Sequence, residues 1–197
     1  MRLRYSPPSP FARKVRVAAA LVSVPLELEP ADPRNASDSI RVQNPLGKIP
    51  ALLREGKKTL FDSAVILAYL DHVCGGRLIP AEPEARFDAL RLEALADGMM
   101  EAALLQVYEE RYRPEEHRTA SWVALQAGKV DRALDELERD PPPANRAPNV
   151  GDIALACALG YLDFRFEGRW RATHPALVAW LDSFIHRAPL FLDSAPS

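Results

Sequence analysis

The run Asn44-Pro45-Leu46-Gly47-Lys48-Ile49-Pro50-Ala51-Leu52 carries the decisive reading of this chain. Pro50 stands directly ahead of a strand-like run, Ala51-Leu52-Leu53. A proline in that place is a candidate cis peptide, because cis prolines sit in tight turns. A cis bond would hold the Ile49 backbone open, so that its N–H and C=O could pair with a peptide-like ligand. An ordinary trans proline at the start of a strand is the statistically commoner alternative.

Downstream, Glu55-Gly56-Lys57 reads as a hairpin turn into a second strand-like run, Thr59-Leu60-Phe61. Asp62 then caps a helix whose Val65, Ile66, Tyr69, Leu70 and Val73 share one face, and Gly75-Gly76 ends it. Upstream, residues 3–5 read as a short strand stopped by Ser6-Pro7-Pro8. Ser9 is an N-cap and Pro10 occupies the first helical position, where its missing N–H costs nothing. Phe11, Val15, Ala19 and Val22 give that helix an apolar face, with Arg13 and Lys14 off it. Leu26-Glu27-Leu28-Glu29 alternates like a half-buried strand, and residues 36–42 read as a short helix. Residues 1–76 therefore read β-α-β-α-β-β-α, a mixed sheet with helices on its faces.

Residues 77–84 read as a linker, and 85–197 as an all-helical bundle domain without a strand signal. Its helices are expected over 85–112, over 119–138, over an almost wholly apolar 153–162, and around Leu177, Leu181, Phe184 and Ile185 before Pro189. The fold class is α+β with two domains.

At 197 residues and 48% apolar, the chain can bury a sizeable core. The net charge of −2 is spread without blocks, which argues against a nucleic-acid partner. No stretch approaches the roughly 20 apolar residues that would span a membrane. Arg13-Lys14-Val15-Arg16 ahead of residues 17–24 imitates a signal peptide, but the apolar run is short and no small-residue cleavage site precedes Pro25. Cys74 and Cys157 lie far apart in no CxxC pair, so the expected compartment is reducing and cytoplasmic. His72, His117, His174 and His186 have no metal-ligand spacing, and no metal is expected.

Two helix starts could do chemistry. Ser9 at a helix N-terminus puts a hydroxyl donor beside unpaired N–H groups and a positive dipole end, surroundings that stabilise a thiolate. Asp62 and Ser63 could accept from an amine and bind a carboxylate. Taken alone, each reads more readily as an ordinary cap.

Together, in order and spacing, these motifs resemble the glutathione transferase family. Ser9-Pro10-Phe11-Ala12-Arg13-Lys14-Val15-Arg16, the 44–52 run and Phe61-Asp62-Ser63-Ala64-Val65-Ile66-Leu67-Ala68-Tyr69-Leu70 are similar to its N-terminal domain. Asn149-Val150-Gly151-Asp152-Ile153-Ala154 is similar to its capping-box helix start, with Asn149 where serine or threonine is usual. His174-Pro175, Trp180 and Ala188-Pro189-Leu190-Phe191 resemble its last helices. The Ser-Pro-Phe start is that of serine-type members, tau-like plant enzymes and bacterial relatives alike. The N-terminal half is then a thioredoxin-like domain.

The resemblance implies that Ser9 donates to the sulfur of glutathione, the co-substrate, whose thiolate attacks a small, mainly apolar electrophile; peroxidase or isomerase chemistry stays open. Tyr5 is the alternative hydroxyl and Ser6 a third. Ile49, beside a cis Pro50, would pair with the cysteinyl unit, Asp62 and Ser63 with the γ-glutamyl end, and Lys48 with the glycine carboxylate. Phe11, Ala12, Met99, Met100, Tyr108 and Tyr112 would line the acceptor pocket between the domains, although Met and aromatic residues at helical spacing are more often core. A serine at position 9 closes the mixed-disulfide route unless Cys74 or Cys157 substitutes, and both read as structural. The family also implies a homodimer. The competing reading is a transferase-fold binding or regulatory protein with little or no catalysis.

Overall fold

The computed structural model describes residues 1–196. Its sheet has three strands, β1 (Arg2–Tyr5), β2 (Glu27–Pro30) and β3 (Ala51–Leu53), in the order β2-β1-β3. β1 runs parallel to β2, with Leu3 opposite Leu28, and antiparallel to β3, with Leu3 opposite Leu52. A parallel pair needs a crossover connection. Here it is α1 (Pro10–Leu21), whose Val15, Val17, Ala18 and Ala19 are buried. α2 (Ile40–Gln43) and α3 (Ser63–Val73) follow, the latter burying Ile66, Leu67 and Leu70.

The second half is helical: α4 (Pro83–Tyr112), α5 (Ala120–Arg139), α6 (Val150–Phe166), α7 (Pro175–Arg187) and α8 (Leu190–Asp193), with 3₁₀ turns at Glu115–His117 and Arg169–Ala172. α6 is the axis of this half. Every residue from Val150 to Leu159 is buried, so its apolar character all round follows from contact on every side. Its N-terminus carries the expected capping box: Asn149 Oδ1 accepts from the Asp152 N–H at 3.1 Å, and Asp152 Oδ2 from the Asn149 N–H at 2.9 Å.

Four expectations need correction. The second run of the hairpin is no strand: only Leu60 bridges to Leu52, because the chain reaches Asp62, the cap of α3, two residues later. α2 starts at Ile40 rather than 36, since Asn35 and Asp38 spend their side chains on the N–H groups of Ser37 and Ile40 in turns. α4 begins at Pro83, inside the expected linker, where Glu82 caps it. Arg13 and Lys14, set off the apolar face of α1, are nonetheless buried. No helix among the described residues is long and apolar enough to cross a membrane.

Candidate functional site

Three loop ends meet at one end of the sheet. β1 runs out at Tyr5 toward Ser9. β3 is antiparallel to it with Arg4 opposite Ala51, so Ile49 and Pro50 enter at that same end. The Leu52–Leu60 bridge is antiparallel too, which returns Asp62 to the level of Pro50. Ser9, Ile49, Pro50, Asp62 and Ser63 are thus gathered from three separate stretches by sheet register alone.

Each has a definite local state. Ser9 is the N-cap of α1, its Oγ accepting from the Ala12 N–H at 3.2 Å. An oxygen used as acceptor leaves the hydroxyl proton free to donate. The Ile49–Pro50 bond is cis, and the Ile49 N–H and C=O have no backbone partner among the described residues. Asn44, buried, shapes the turn before it, donating to the Lys48 carbonyl at 2.9 Å and accepting from the Leu46 N–H at 3.0 Å. Gly47 has φ of +62°, a value that favours glycine there. Lys48 is exposed and makes no ion pair with the described residues. Asp62 caps α3 through the Ala64 N–H at 2.9 Å, and the buried Ser63 hydroxyl donates to its carboxylate at 3.3 Å. The Phe61–Asp62 bond is also cis.

Beside Ser9 lies a narrow cleft, too tight in this structure to admit a water molecule, lined by Pro7, Pro8, Pro10, Arg13, Cys157, Tyr161 and Pro196. A roomier hollow between residues 76–80 and 146–149 is remote from this constellation. The arginines there are already engaged, Arg77 on the Val22 carbonyl and Arg146 on Asp152, so the Ser9 cleft is the candidate site.

The acceptor lining differs from the sequence reading. Ala12, Met99 and Met100 are core residues: Ala12 is buried on α1, and Met99 and Met100 are buried on α4, which packs against α6 and α1. Phe11 is half-buried against that core, whereas Tyr108 and Tyr112 stay open, their rings edge-on at 5.1 Å. Tyr5 lies under the Arg16 guanidinium, 5.4 Å from its ring centroid, and packs at the strand end.

Sequence reasoning missed Arg13, Lys14, Asp97, Tyr161 and Pro196. Lys14, fully buried, donates to Glu93 at 2.9 Å and to Asp97 at 2.7 Å across the α1–α4 contact. Burial pushes the Asp97 carboxyl up to about 6, against the pull of Lys14 and with Glu93 and Asp62 adding to the rise. Lys14 is instead held above its ordinary value, because its two carboxylates outweigh its own desolvation. Both directions describe one buried cation held between two acids. Cys157 faces the cleft, but burial pushes its thiol up to about 12, so it is no thiolate. Among the described residues no cluster of His, Cys, Asp or Glu could hold a metal ion.

Residues 8–73 match the family model of the glutathione S-transferase N-terminal domain, and 120–183 that of its C-terminal domain. An uncharacterised GST-like protein of Escherichia coli (strain K12) is 33% identical over 192 residues, spanning 95% of both chains. The chain belongs to the glutathione S-transferase family.

Solved structures of two relatives agree over the whole length of this transferase. A glutathione S-transferase from Methylobacillus flagellatus, with glutathione bound, is 37% identical at a TM-score of 0.91, covering 100% of this chain and 99% of that one. A glutathione transferase family member from Pseudomonas fluorescens Pf-5 is 38% identical; with glutathione bound it gives a TM-score of 0.92 over 100% and 98% of the two chains. With S-(propanoic acid)-glutathione bound it gives 0.88 over 100% of both.

Proposed function

We propose that this transferase binds glutathione at the sheet end described above and conjugates its thiolate to a small electrophile, with Ser9 as the thiolate donor. The observation that carries the reading is the Ser9 hydroxyl. Its oxygen is occupied by the Ala12 N–H, so its proton is free, at the positive end of α1. A sulfur placed there gives up its proton more readily and keeps a hydrogen bond as thiolate. The thiolate then forms the new C–S bond while the leaving group departs with its electron pair, or a conjugated acceptor takes up a proton.

Ile49 offers its unpartnered N–H and C=O to the cysteinyl unit, Asp62 and Ser63 hold the γ-glutamyl end, and Lys48 meets the glycine carboxylate. Phe11, Tyr108 and Tyr112 face the acceptor. The Pseudomonas protein with a propanoic acid group on the sulfur supports an acceptor side that accommodates a substituent there. Residues 1–76 form the glutathione-binding unit in this reading, and the transferase works as a cytoplasmic homodimer. The exposed apolar Val42 and Leu46 are surface that a second copy would cover. Sedimentation of a 22 kDa monomer at micromolar concentration would refute the dimer.

Glutathione binding by calorimetry and conjugation of a generic aromatic electrophile test the chemistry. Ser9→Ala should bind glutathione within a few-fold of wild type and lose about 100-fold in turnover, as removal of a hydroxyl donor to a developing anion does. Full turnover in Ser9→Ala would exclude the serine as donor. No glutathione binding by wild type would point to a transferase fold serving another ligand.

A further inference from the structure

The Ser9 cleft has a second wall that thiolate formation does not use. Besides the loop that carries Ser9, α6 contributes Cys157 and Tyr161 to it, one turn apart on the same helix face. α1 and α6 approach closely at this level. A Cβ on Gly160 would stand 2.5 Å from Arg13 Nη1 and 3.3 Å from the Phe191 ring, so a glycine next to Tyr161 lets Arg13, one turn after Ser9, lie against α6.

Of the two wall residues, Cys157 is an inert thiol. Tyr161 is 2% exposed and gives the cleft a phenol. Its one hydrogen-bonding side-chain neighbour is Arg165, whose guanidinium carbon lies 5.8 Å from the Tyr161 ring centroid. A guanidinium can only donate, so the phenol oxygen is the acceptor there and the phenol proton stays unspent. Arg165 is not neutralised by its neighbours either. Asp163 accepts from Trp170 and Arg171, and Glu167 from Arg169. Its Nε is buried without a hydrogen-bond partner among the described residues. Burial holds the phenol above its ordinary range against the pull of Arg165, which keeps it protonated at neutral pH.

Ser9 and Tyr161 are thus two hydroxyls on one cleft, each with its oxygen facing a donor and its proton free. Resting on the transferase reading above, we infer that Tyr161 is a second catalytic residue, whose phenol donates to an acceptor oxygen that gains negative charge. The acceptor class that such a donor serves is the conjugated carbonyl compound. The glutathione thiolate forms the C–S bond at the β-carbon, and the C=C pair moves to make an enolate, whose oxygen takes the Tyr161 hydrogen bond. Water then returns to the α-carbon the proton that the thiol gave up, and nothing else is consumed. A cleft this tight keeps water from competing for the phenol, which strengthens its bond to a developing charge. Entry of an acceptor requires the wall to part, and Pro196 is the wall residue that lies beyond α8 and the Ser194 anchor.

Turnover of two electrophiles by the full chain tests this: benzylideneacetone, a conjugated ketone, and chlorodinitrobenzene, an aryl halide that has no carbonyl oxygen. Tyr161→Phe should lose about 100-fold in kcat on the ketone, the scale of one lost donor to an oxyanion, and stay within about twofold on the halide. Its glutathione affinity by calorimetry should match wild type, which reports a folded site. Arg165→Gln keeps the phenol but removes the cation behind it, and should slow the ketone about fivefold while sparing the halide, since a weaker acid is a poorer donor. Equal losses on both electrophiles, or no loss on the ketone in either variant, would make Tyr161 a packing residue and overturn the inference. So would a wild type that turns over the halide and not the ketone; in each case the transferase reading stands. A wild type that binds no glutathione and turns over neither electrophile would overturn both.

Discussion

Arg13 donates from Nη2 to the Phe191 carbonyl at 3.0 Å while its guanidinium carbon sits 3.8 Å from the centroid of the Phe191 ring. Its Nε donates to Ser194 Oγ at 3.0 Å, and Arg16 donates to the Ser194 carbonyl at 3.4 Å. Arg13 lies one turn after Ser9 on α1, so the C-terminal segment is tied to the helix that presents the candidate catalytic hydroxyl. Pro196 then becomes a wall of the Ser9 cleft.

Arg13→Met should keep much of the stem packing and lose the three anchors. About 2 kcal/mol of stability should go, the range for hydrogen bonds made by a charged group. Amide exchange over residues 190–195 should accelerate by about tenfold or more, with the middle of α6 unchanged, since local opening is governed by local contacts. Hydrogen exchange read by mass spectrometry checks this. Uniform acceleration across the chain would show that Arg13 supports the whole core instead.

The shared cation at Lys14 makes a pH prediction. Asp97 has a folded value of about 6 against an ordinary value near 4, so between these limits the folded chain binds more protons than the unfolded one. Its contribution to stability therefore falls as pH rises from about 4 to about 6, and its cost is fully present above that. The Tm difference between wild type and Asp97→Asn should change across this window and be flat above about 7. Lys14→Met should cost about 3–5 kcal/mol by urea unfolding at neutral pH, because Glu93 and Asp97 are left buried without a counter-charge. A loss under 1 kcal/mol would mean that water reaches the pair.

The cluster also shows where sequence reading stops. The sheet-end constellation was legible because each part is local: Ser9-Pro10 at a helix start, Ile49-Pro50 ahead of a strand, Asp62-Ser63 at another cap. Sheet register then joins them without long-range side-chain contacts. Arg13 and Lys14 were not legible. On a helical wheel they lie off the apolar face, and their partners lie 79 to 181 residues away. Met99 and Met100 erred oppositely, since periodicity places them on a buried face without saying whether a cleft or the core covers it. Tyr161 was hidden in the apolar run of α6, where a tyrosine reads as filler. The Leu60 bridge failed to extend because strand propensity at Thr59 and Phe61 yields to the Asp62 cap.

Cys157 should be silent toward thiol reagents. With its thiol pushed up to about 12, the thiolate fraction at pH 8 is on the order of 10⁻⁴. Cys74 is half-buried, its Sγ donating to the Asp71 carbonyl at 3.3 Å. A disulfide-exchange reagent at pH 8 should therefore count no more than one thiol in the folded protein and two after denaturation. Rapid reaction of both in the folded state would reopen the mixed-disulfide route.

The last prediction concerns two glycines with opposite surroundings. A Cβ on Gly151 would stand 2.6 Å from the Ala89 carbonyl oxygen and 2.8 Å from Leu92 Cβ, so Gly151→Ala must push α6 off α4 beside the Asn149–Asp152 capping box. Overpacking of this kind costs about 1–3 kcal/mol, more than the roughly 1 kcal/mol that alanine gains over glycine in a helix. A Cβ on Gly98, in the middle of α4, meets nothing within 4 Å. Gly98→Ala should accordingly raise stability by up to about 1 kcal/mol while Gly151→Ala lowers it. Urea unfolding of the two variants beside wild type gives both signs. If both are stabilised, α4 and α6 do not approach as closely as the Gly151 contact requires. If both are destabilised, the open face of Gly98 is covered in solution, which is where a second subunit would register.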